Sequence, residues 1–221
     1  MEALLERLME APDLQILIDK AQKKLWQEKK KRMEFYEWLT DEAKAEFING
    51  EIVVHSPVVR AHLDASDFLS RILSIYVSHK KLGKISVEKA LVSLTRNDYE
   101  PDICFWGNEK AATFTEDMMH HPAPDFVVEI LSKGTAKRDR GVKFEDYAAH
   151  GVQEYWIIDP QNKTIEQYLL RDNERREFIL KQKAGEKNTI ESPVITGFLI
   201  PVKAIFDEKA NLDTLQNLMK N

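Results

Sequence analysis

Asp102 and Glu129 are the residues whose surroundings call most strongly for a chemical explanation. Asp102 opens the apolar run PDICFW, and Glu129 interrupts FVVEIL, a run otherwise apolar enough for a central strand covered on both faces. A carboxylate in such a place is costly unless it is paired, hydrogen-bonded or bound to a metal. If the two runs pair as neighbouring strands, both carboxylates point to the same end of the sheet and can share one hard cation. Magnesium suits them, because it takes one or two carboxylates, keeps several waters and is completed by substrate phosphate. The structural alternative is that Asp102 caps a turn and Glu129 makes an ion pair.

Other chemistry-bearing residues have competing uses. Asp125 shares a strand face with Val127 and Glu129, yet its place after Pro124 favours a role at strand entry. Lys143 follows Asp139 by one helical turn and can swing towards Glu129, or it can pair at the surface with Asp139 or Asp146. Asp139 is expected to cap the start of that helix. His120-His121 looks like a metal pair, but adjacent side chains diverge and no third ligand accompanies them, so a loop tip is the reading. Trp106, Tyr155 and Trp156 can stack bases, although each lies in an apolar strand that favours core packing. Cys104, the single cysteine, excludes an internal disulfide and is expected to pack.

The elements that must position these residues follow from pattern and punctuation. Leu14, Ile16, Leu17, Ile18, Ala21 and Leu25 give an apolar stripe on an N-terminal helix, suited to packing on the body or on another subunit. Asn49-Gly50 between short β-like runs predicts a hairpin. Apolar residues from Leu63 to Tyr76 recur at helical spacing over 58–79, with Leu82-Gly83 closing the segment. Alternation then resumes at Ile85 and slips phase before Ala90, as in a strand or tight hairpin. Residues 107–124 read as a loop with at most a short helix. A helix is expected from Asp139 to His150, EYWIIDP is a buried strand, and the segments after it read as a β meander on one sheet edge.

The chain has 221 residues, 43% hydrophobic and 31% charged, which is enough apolar material for one core. Its formal charge of −5 argues against coating nucleic acid by bulk electrostatics. The basic run Lys29 to Arg32 reads as a solvated helix face. No secretory signal or membrane span is visible, and a cytoplasmic protein is expected.

The pattern EFINGEIV, with Glu46 and Asn49-Gly50-Glu51, then Ser56-Pro57, His62, Pro101-Asp102 and the long block PDFVVEILSKGTAKRDRGVKFEDYAAHGVQEYWIIDP, resembles the bacterial Uma family of restriction endonucleases. That family is placed in the PD-(D/E)XK nuclease superfamily, and the likeness spans roughly residues 35–206. It implies an α/β fold, restriction-endonuclease-like, with a mixed central β-sheet flanked by helices. To this the chain adds an N-terminal helical extension (1–34) and a C-terminal β meander within the nuclease-like unit (35–221). It implies Asp102 and Glu129 as metal-binding acids, with Glu46 as a further ligand. The superfamily motif places a lysine two residues after the second acid, where this chain has Leu131. In the family it resembles, the lysine sits on the next helix, and Lys143 is the matching residue. His62 matches a family position and has two uses open, touching phosphate or the metal shell, or packing its helix. The expectation is a magnesium-dependent endonuclease, with manganese as a substitute ion, acting on nucleic acid, DNA favoured. Assembly as a homo-oligomer, most simply a homodimer, is expected from the apolar N-terminal helix. The rival expectation is a silent nuclease-like scaffold that binds nucleic acid or a protein partner.

Overall fold

The structure, a computed structural model, describes residues 2–40, 43–171 and 176–220. Helices α1 (Glu2–Met9) and α2 (Leu14–Trp38) precede the hairpin β1 (Ala45–Ile48) and β2 (Glu51–Val54), and α3 (Arg60–Lys80) follows. Next come β3 (Gly83–Val87), β4 (Leu91–Ser93), β5 (Asp98–Tyr99), β6 (Ile103–Gly107), α4 (Asn108–Ala111), β7 (His120–His121) and β8 (Phe126–Ile130). Then α5 (Ala136–Asp139) and α6 (Val142–Ala149) lead to β9 (Glu154–Asp159), β10 (Thr164–Arg171) and β11 (Glu177–Gly185). A small hairpin, β12 (Thr189–Glu191) with β13 (Leu199–Pro201), a 3-10 turn (Val202–Ile205) and α7 (Glu208–Leu218) close the chain.

The strands form a six-stranded mixed sheet in the order β11-β10-β9-β8-β6-β3 and a five-stranded sheet in the order β2-β1-β5-β4-β7. In the larger sheet β8 and β9 run parallel and β6 pairs antiparallel with β8. Period two divides β8 between two layers. Phe126, Val128 and Ile130 face a core built with Leu69, Ile72 and Tyr76 of α3, while Val127 faces Tyr147 and Ala148 of α6. That second layer also takes Ile48, Val92 and Tyr99 from the smaller sheet, so α6 packs against both sheets.

Local chemistry explains most boundaries. Asn49 and Gly50 both adopt positive φ, at 52° and 87°, as the expected hairpin turn requires. Helix α3 ends on Lys81 in the left-handed conformation, not on Gly83. Gly83 is needed for another reason: a Cβ there would lie 2.0 Å from the carbonyl oxygen of Trp106 on the paired strand β6. The phase slip seen in the sequence is the turn at Glu88 and Lys89, both at positive φ, where the chain leaves one sheet for the other. Three expectations need correction. The 107–124 segment carries α4 and also β7, which pairs in parallel with β4. The helix expected from Asp139 to His150 starts only at Val142, as α6 with Gly141 at its N-cap position, and Asp139 instead ends the separate short helix α5. The meander does not run to the end as one edge: β12 and β13 form their own pair, and α7 lies on α3.

The basic run on α2 is only partly a solvated face. Arg32 grips Asp98 through Nε and Nη2, both at 2.6 Å, and Nη2 also donates to the Leu94 carbonyl. Arg96 holds Glu28 in the same two-pronged way at 2.8 Å. Asp98 is fully buried, so Arg32→Ala would strand a charge. We expect it to cost about 3 kcal/mol in urea unfolding; a loss below about 1 kcal/mol would mean that the clamp contributes little. Of the stripe on α2, Ile16 (55%) and Leu25 (51%) are exposed while Leu14 and Leu17 are half-buried, and Trp26 beside the stripe is 59% exposed. Among the described residues no helix is long and apolar enough to cross a membrane.

Candidate active site

Pairing of β6 with β8, Ile103 opposite Val128, puts Asp102 just beyond the ladder and beside the Glu129 end of β8. Asp102, Cys104 and Trp106 share one parity, as do Val127 and Glu129, and the buried members of both sets face the α6 layer. The Ile130 N–H donates to Asp102 Oδ2 at 2.7 Å and fixes that carboxylate. The other oxygen, Oδ1, faces Lys44 Nζ at 3.5 Å and His62 Nε2 at 3.6 Å. Burial would raise the Asp102 carboxyl, but His62, Lys44 and the Ile130 amide outweigh it and hold it below the usual range.

Lys143 sits at the start of α6, where the helix dipole disfavours a cation, so its position needs compensation from nearby acids. Its ammonium lies 2.7 Å from Glu46 Oε1, 3.0 Å from Glu129 Oε1 and 3.6 Å from Asp139 Oδ1, with the side chain 1% exposed. Glu46 comes from the smaller sheet and Glu129 from the larger, and they meet on this one lysine. Tyr147, one turn further along α6, also donates to Glu129 Oε1 at 3.1 Å.

The two glutamates respond oppositely to the same partner. Glu46 is pulled low: burial opposes this, but Lys143 and His55 prevail. It also accepts the Glu100 N–H at 3.0 Å. Glu129 is pushed well above the ordinary range, first by burial and then by Asp139, Asp102 and Glu46, with Lys143 only partly offsetting them. Burial likewise raises Asp139. The Lys143 ammonium is driven well above its usual value, because the three acids outweigh its own desolvation. Some polar atoms stay unmatched: Glu46 Oε2 lies 3.2 Å from His55 Nε2 but in poor hydrogen-bond alignment, and both Asp139 oxygens lack a hydrogen bond.

These groups border a cleft of about 430 Å³ lined by Lys44, His62, Asp102, Glu129, Thr135 and Lys143, among others. Of the residues singled out by sequence, Asp102, Glu129 and Lys143 gather there, and Glu46 adjoins them through Lys143. His62 lines the cleft as well, on the first turn of α3. Asp125 does not join: it lies at the far end of β8, accepting the Gly107 N–H at 2.8 Å and pairing with Lys110 at 2.7 Å. Arg140 is engaged by Glu166, whose carboxyl Arg140 and Lys183 hold down at about 2. His120 bonds to Ser93 and His121 packs on Trp106 and Phe114. Trp106, Tyr155, Trp156 and Cys104 are core.

Lys44, His55, Asp139 and Tyr147 were not visible as site residues in the sequence. Asp139, Lys143 and Tyr147 at intervals of four carry a signal, since helical spacing puts all three on one face. Asp139 is the last residue of α5 and is buried against Lys143 instead of capping α6. Lys44 and His55 flank the hairpin with no local pattern to mark them. Among the described residues no three His, Cys, Asp or Glu side chains converge as a ready metal cage.

The sequence profile of the Uma2 family, described as "Putative restriction endonuclease", matches residues 32–203. Among solved structures, the chain is similar to a "putative nuclease belonging to DUF820" from Anabaena variabilis, at 18% identity and a TM-score of 0.66, over 78% of this chain and 94% of that one. It is more distantly similar to the type IIG restriction endonuclease BpuSI, at 11% identity and a TM-score of 0.39, over 76% of this chain and 18% of that one. The first likeness establishes a shared fold and the second is too remote to carry weight. No curated protein matches the sequence.

Proposed function

Because this chain belongs to the Uma2 family, whose description is "Putative restriction endonuclease", we propose that it hydrolyses phosphodiester bonds of nucleic acid, DNA foremost, using a divalent ion held by Asp102 and Glu129. The observation that carries this reading is the convergence of those two buried carboxylates at one end of adjacent strands, beside a buried ammonium. The donor set fits magnesium in its usual protein mode, two carboxylates completed by water and substrate phosphate, and does not fit an all-protein cage. Asp102 offers Oδ1, whose two nearest basic side chains, Lys44 and His62, both lie beyond hydrogen-bond distance. Glu46 has Oε1 engaged by Lys143 and the Glu100 amide, so it would ligate, if at all, through the unmatched Oε2.

When bound, such an ion would make an attacking water easier to deprotonate and would draw off charge from the phosphate. The residues do the rest. Asp102 and Glu129 set the position of the reacting centre from strands that the core holds rigid. Lys143, lining the same cleft, presents a fixed positive charge to the developing charge on the phosphate, and Glu46, Asp139 and Tyr147 keep that geometry.

The test is calorimetric titration with manganese and magnesium, followed by cleavage assays on plasmid and single-stranded DNA and on RNA. Ion binding and cleavage that both disappear in Asp102→Ala support the proposal; no ion binding by the folded parent sinks it. Ion binding without cleavage across that panel would instead favour the scaffold reading, which the acidic net charge makes worth testing. We also propose that two copies associate through the exposed stripe of α2. Ile16→Glu combined with Trp26→Glu is expected to turn a sedimenting dimer into a monomer, and an unchanged sedimentation coefficient would refute this interface.

A further inference from the structure

The cleft holds two lysines in contrasting states. Lys143 is 1% exposed and lies 2.7 and 3.0 Å from its two nearest carboxylate oxygens. Lys44 is 22% exposed, and its two ion pairs among the described residues, to Asp102 Oδ1 at 3.5 Å and to Glu88 Oε2 at 3.6 Å, are both too long for hydrogen bonds. Its backbone is fixed, since the His55 N–H donates to the Lys44 carbonyl at 3.0 Å. The ammonium is thus loosely held on a fixed root.

Its target is equally one-sided. Asp102 Oδ2 is held by the Ile130 amide, while Oδ1 has only long contacts, to the Lys44 ammonium and the His62 ring. Glu88 is brought beside it because its own N–H donates to the Asp102 carbonyl at 3.0 Å. The walls of the cleft carry Glu88, Glu100, Asp102 and Glu129, so without positive charge they repel a phosphate.

We propose that Lys44 is the resident counter-ion of Asp102: it holds the place of the divalent cation, yields it when the cation arrives, and then takes a phosphate oxygen of the incoming strand. This rests on Asp102 as a metal ligand. Lys44 and the cation compete for one oxygen, so the protein gives up some ion affinity and gains a phosphate-binding ammonium at the moment the site is loaded. Such a substitution keeps the metal-free carboxylate paired and couples ion binding to readiness for substrate.

The experiment is titration of the full chain with manganese in the absence of nucleic acid, followed by steady-state cleavage at saturating ion. Lys44→Met is expected to bind manganese roughly fivefold more tightly than the parent, and Lys44→Arg, which keeps the charge, to stay within about twofold. Lys133→Met removes an exposed charge next to the cleft residue Ser132 and is expected to leave affinity unchanged. With the ion saturating, Lys44→Met should raise KM for an oligonucleotide roughly tenfold with little change in kcat. Unchanged or weaker manganese binding in Lys44→Met overturns the inference while leaving the metal site standing. Equal tightening in Lys133→Met also overturns it, by reducing the effect to general electrostatics. A folded parent that binds no manganese removes the Asp102 and Glu129 site itself, and this inference with it.

Discussion

Glu129→Gln is expected to yield a protein at least as stable as the parent that no longer binds a divalent ion and cleaves at least roughly a thousandfold more slowly. The stability half follows from the environment. Burial and three neighbouring acids already push the Glu129 carboxyl towards its neutral form, so an amide replaces it at little electrostatic cost. Both hydrogen bonds described for that side chain, from Lys143 and Tyr147, land on Oε1, and an amide oxygen accepts both. The functional half follows because an uncharged amide oxygen is a poor ligand for a hard cation. Asp102→Asn makes the contrast. Asp102 is held in its charged form, so its folded pKa lies below the unfolded one. Its contribution is present above the unfolded value and is lost as pH falls towards the folded one. That variant should therefore lose cleavage and also about 1–3 kcal/mol of stability near neutral pH. Urea unfolding alongside manganese titration separates the two carboxylates. If Glu129→Gln destabilised the fold as much as Asp102→Asn, Glu129 would be a structural charge and its place in the site would fall.

The two acids were legible because strand chemistry makes them conspicuous: an apolar run interrupted by one carboxylate demands a partner, and pairing of β6 with β8 supplies the convergence. The lysine was legible only through the family pattern. Leu131 shares the parity of Glu129 and packs with the α6 layer, so a lysine there would have reached this face from the strand. Lys143 reaches it from α6 instead, and no strand period can register that substitution. Glu46 was readable as a family position, but its meeting with Glu129 joins residues from two different sheets. Such a contact depends on how α6 is placed between them, and no local pattern encodes that. Lys44, His55 and Asp139 escaped for a similar reason. Each acquires its chemistry from a neighbour distant in sequence or across a helix break, and hairpin flanks and loop ends carry no periodicity. The break between α5 and α6 hid Asp139 most directly, since a helix beginning at that residue would have used it as a cap.

Lys143→Met is expected to destabilise the ion-free protein by about 3–5 kcal/mol at about pH 7.5, with cleavage lost as well. Methionine fills much of the same volume, so the cost is chiefly electrostatic: Glu46, Glu129 and Asp139 would face one another without a cation. The pH dependence distinguishes this from a packing defect. In the parent, Lys143 has a folded pKa raised above the unfolded value, so its contribution is complete below the unfolded value and fades only in strong alkali. Glu129 and Asp139 are also raised, but for an acid this means the native state binds more protons than the unfolded chain, so their contribution falls as pH rises. Lys143 opposes that rise in both, and removing it enlarges the effect. The deficit should therefore shrink towards about pH 4.5, where the carboxyls take up protons, and a deficit equal at both pH values would show that packing alone was lost. Adding Glu129→Gln to Lys143→Met removes the acid that Lys143 no longer offsets, and the stability regained should exceed any gain from Glu129→Gln in the parent by about 1–3 kcal/mol. That recovery requires the lysine and the glutamate to act on each other directly, as the 3.0 Å contact between them implies.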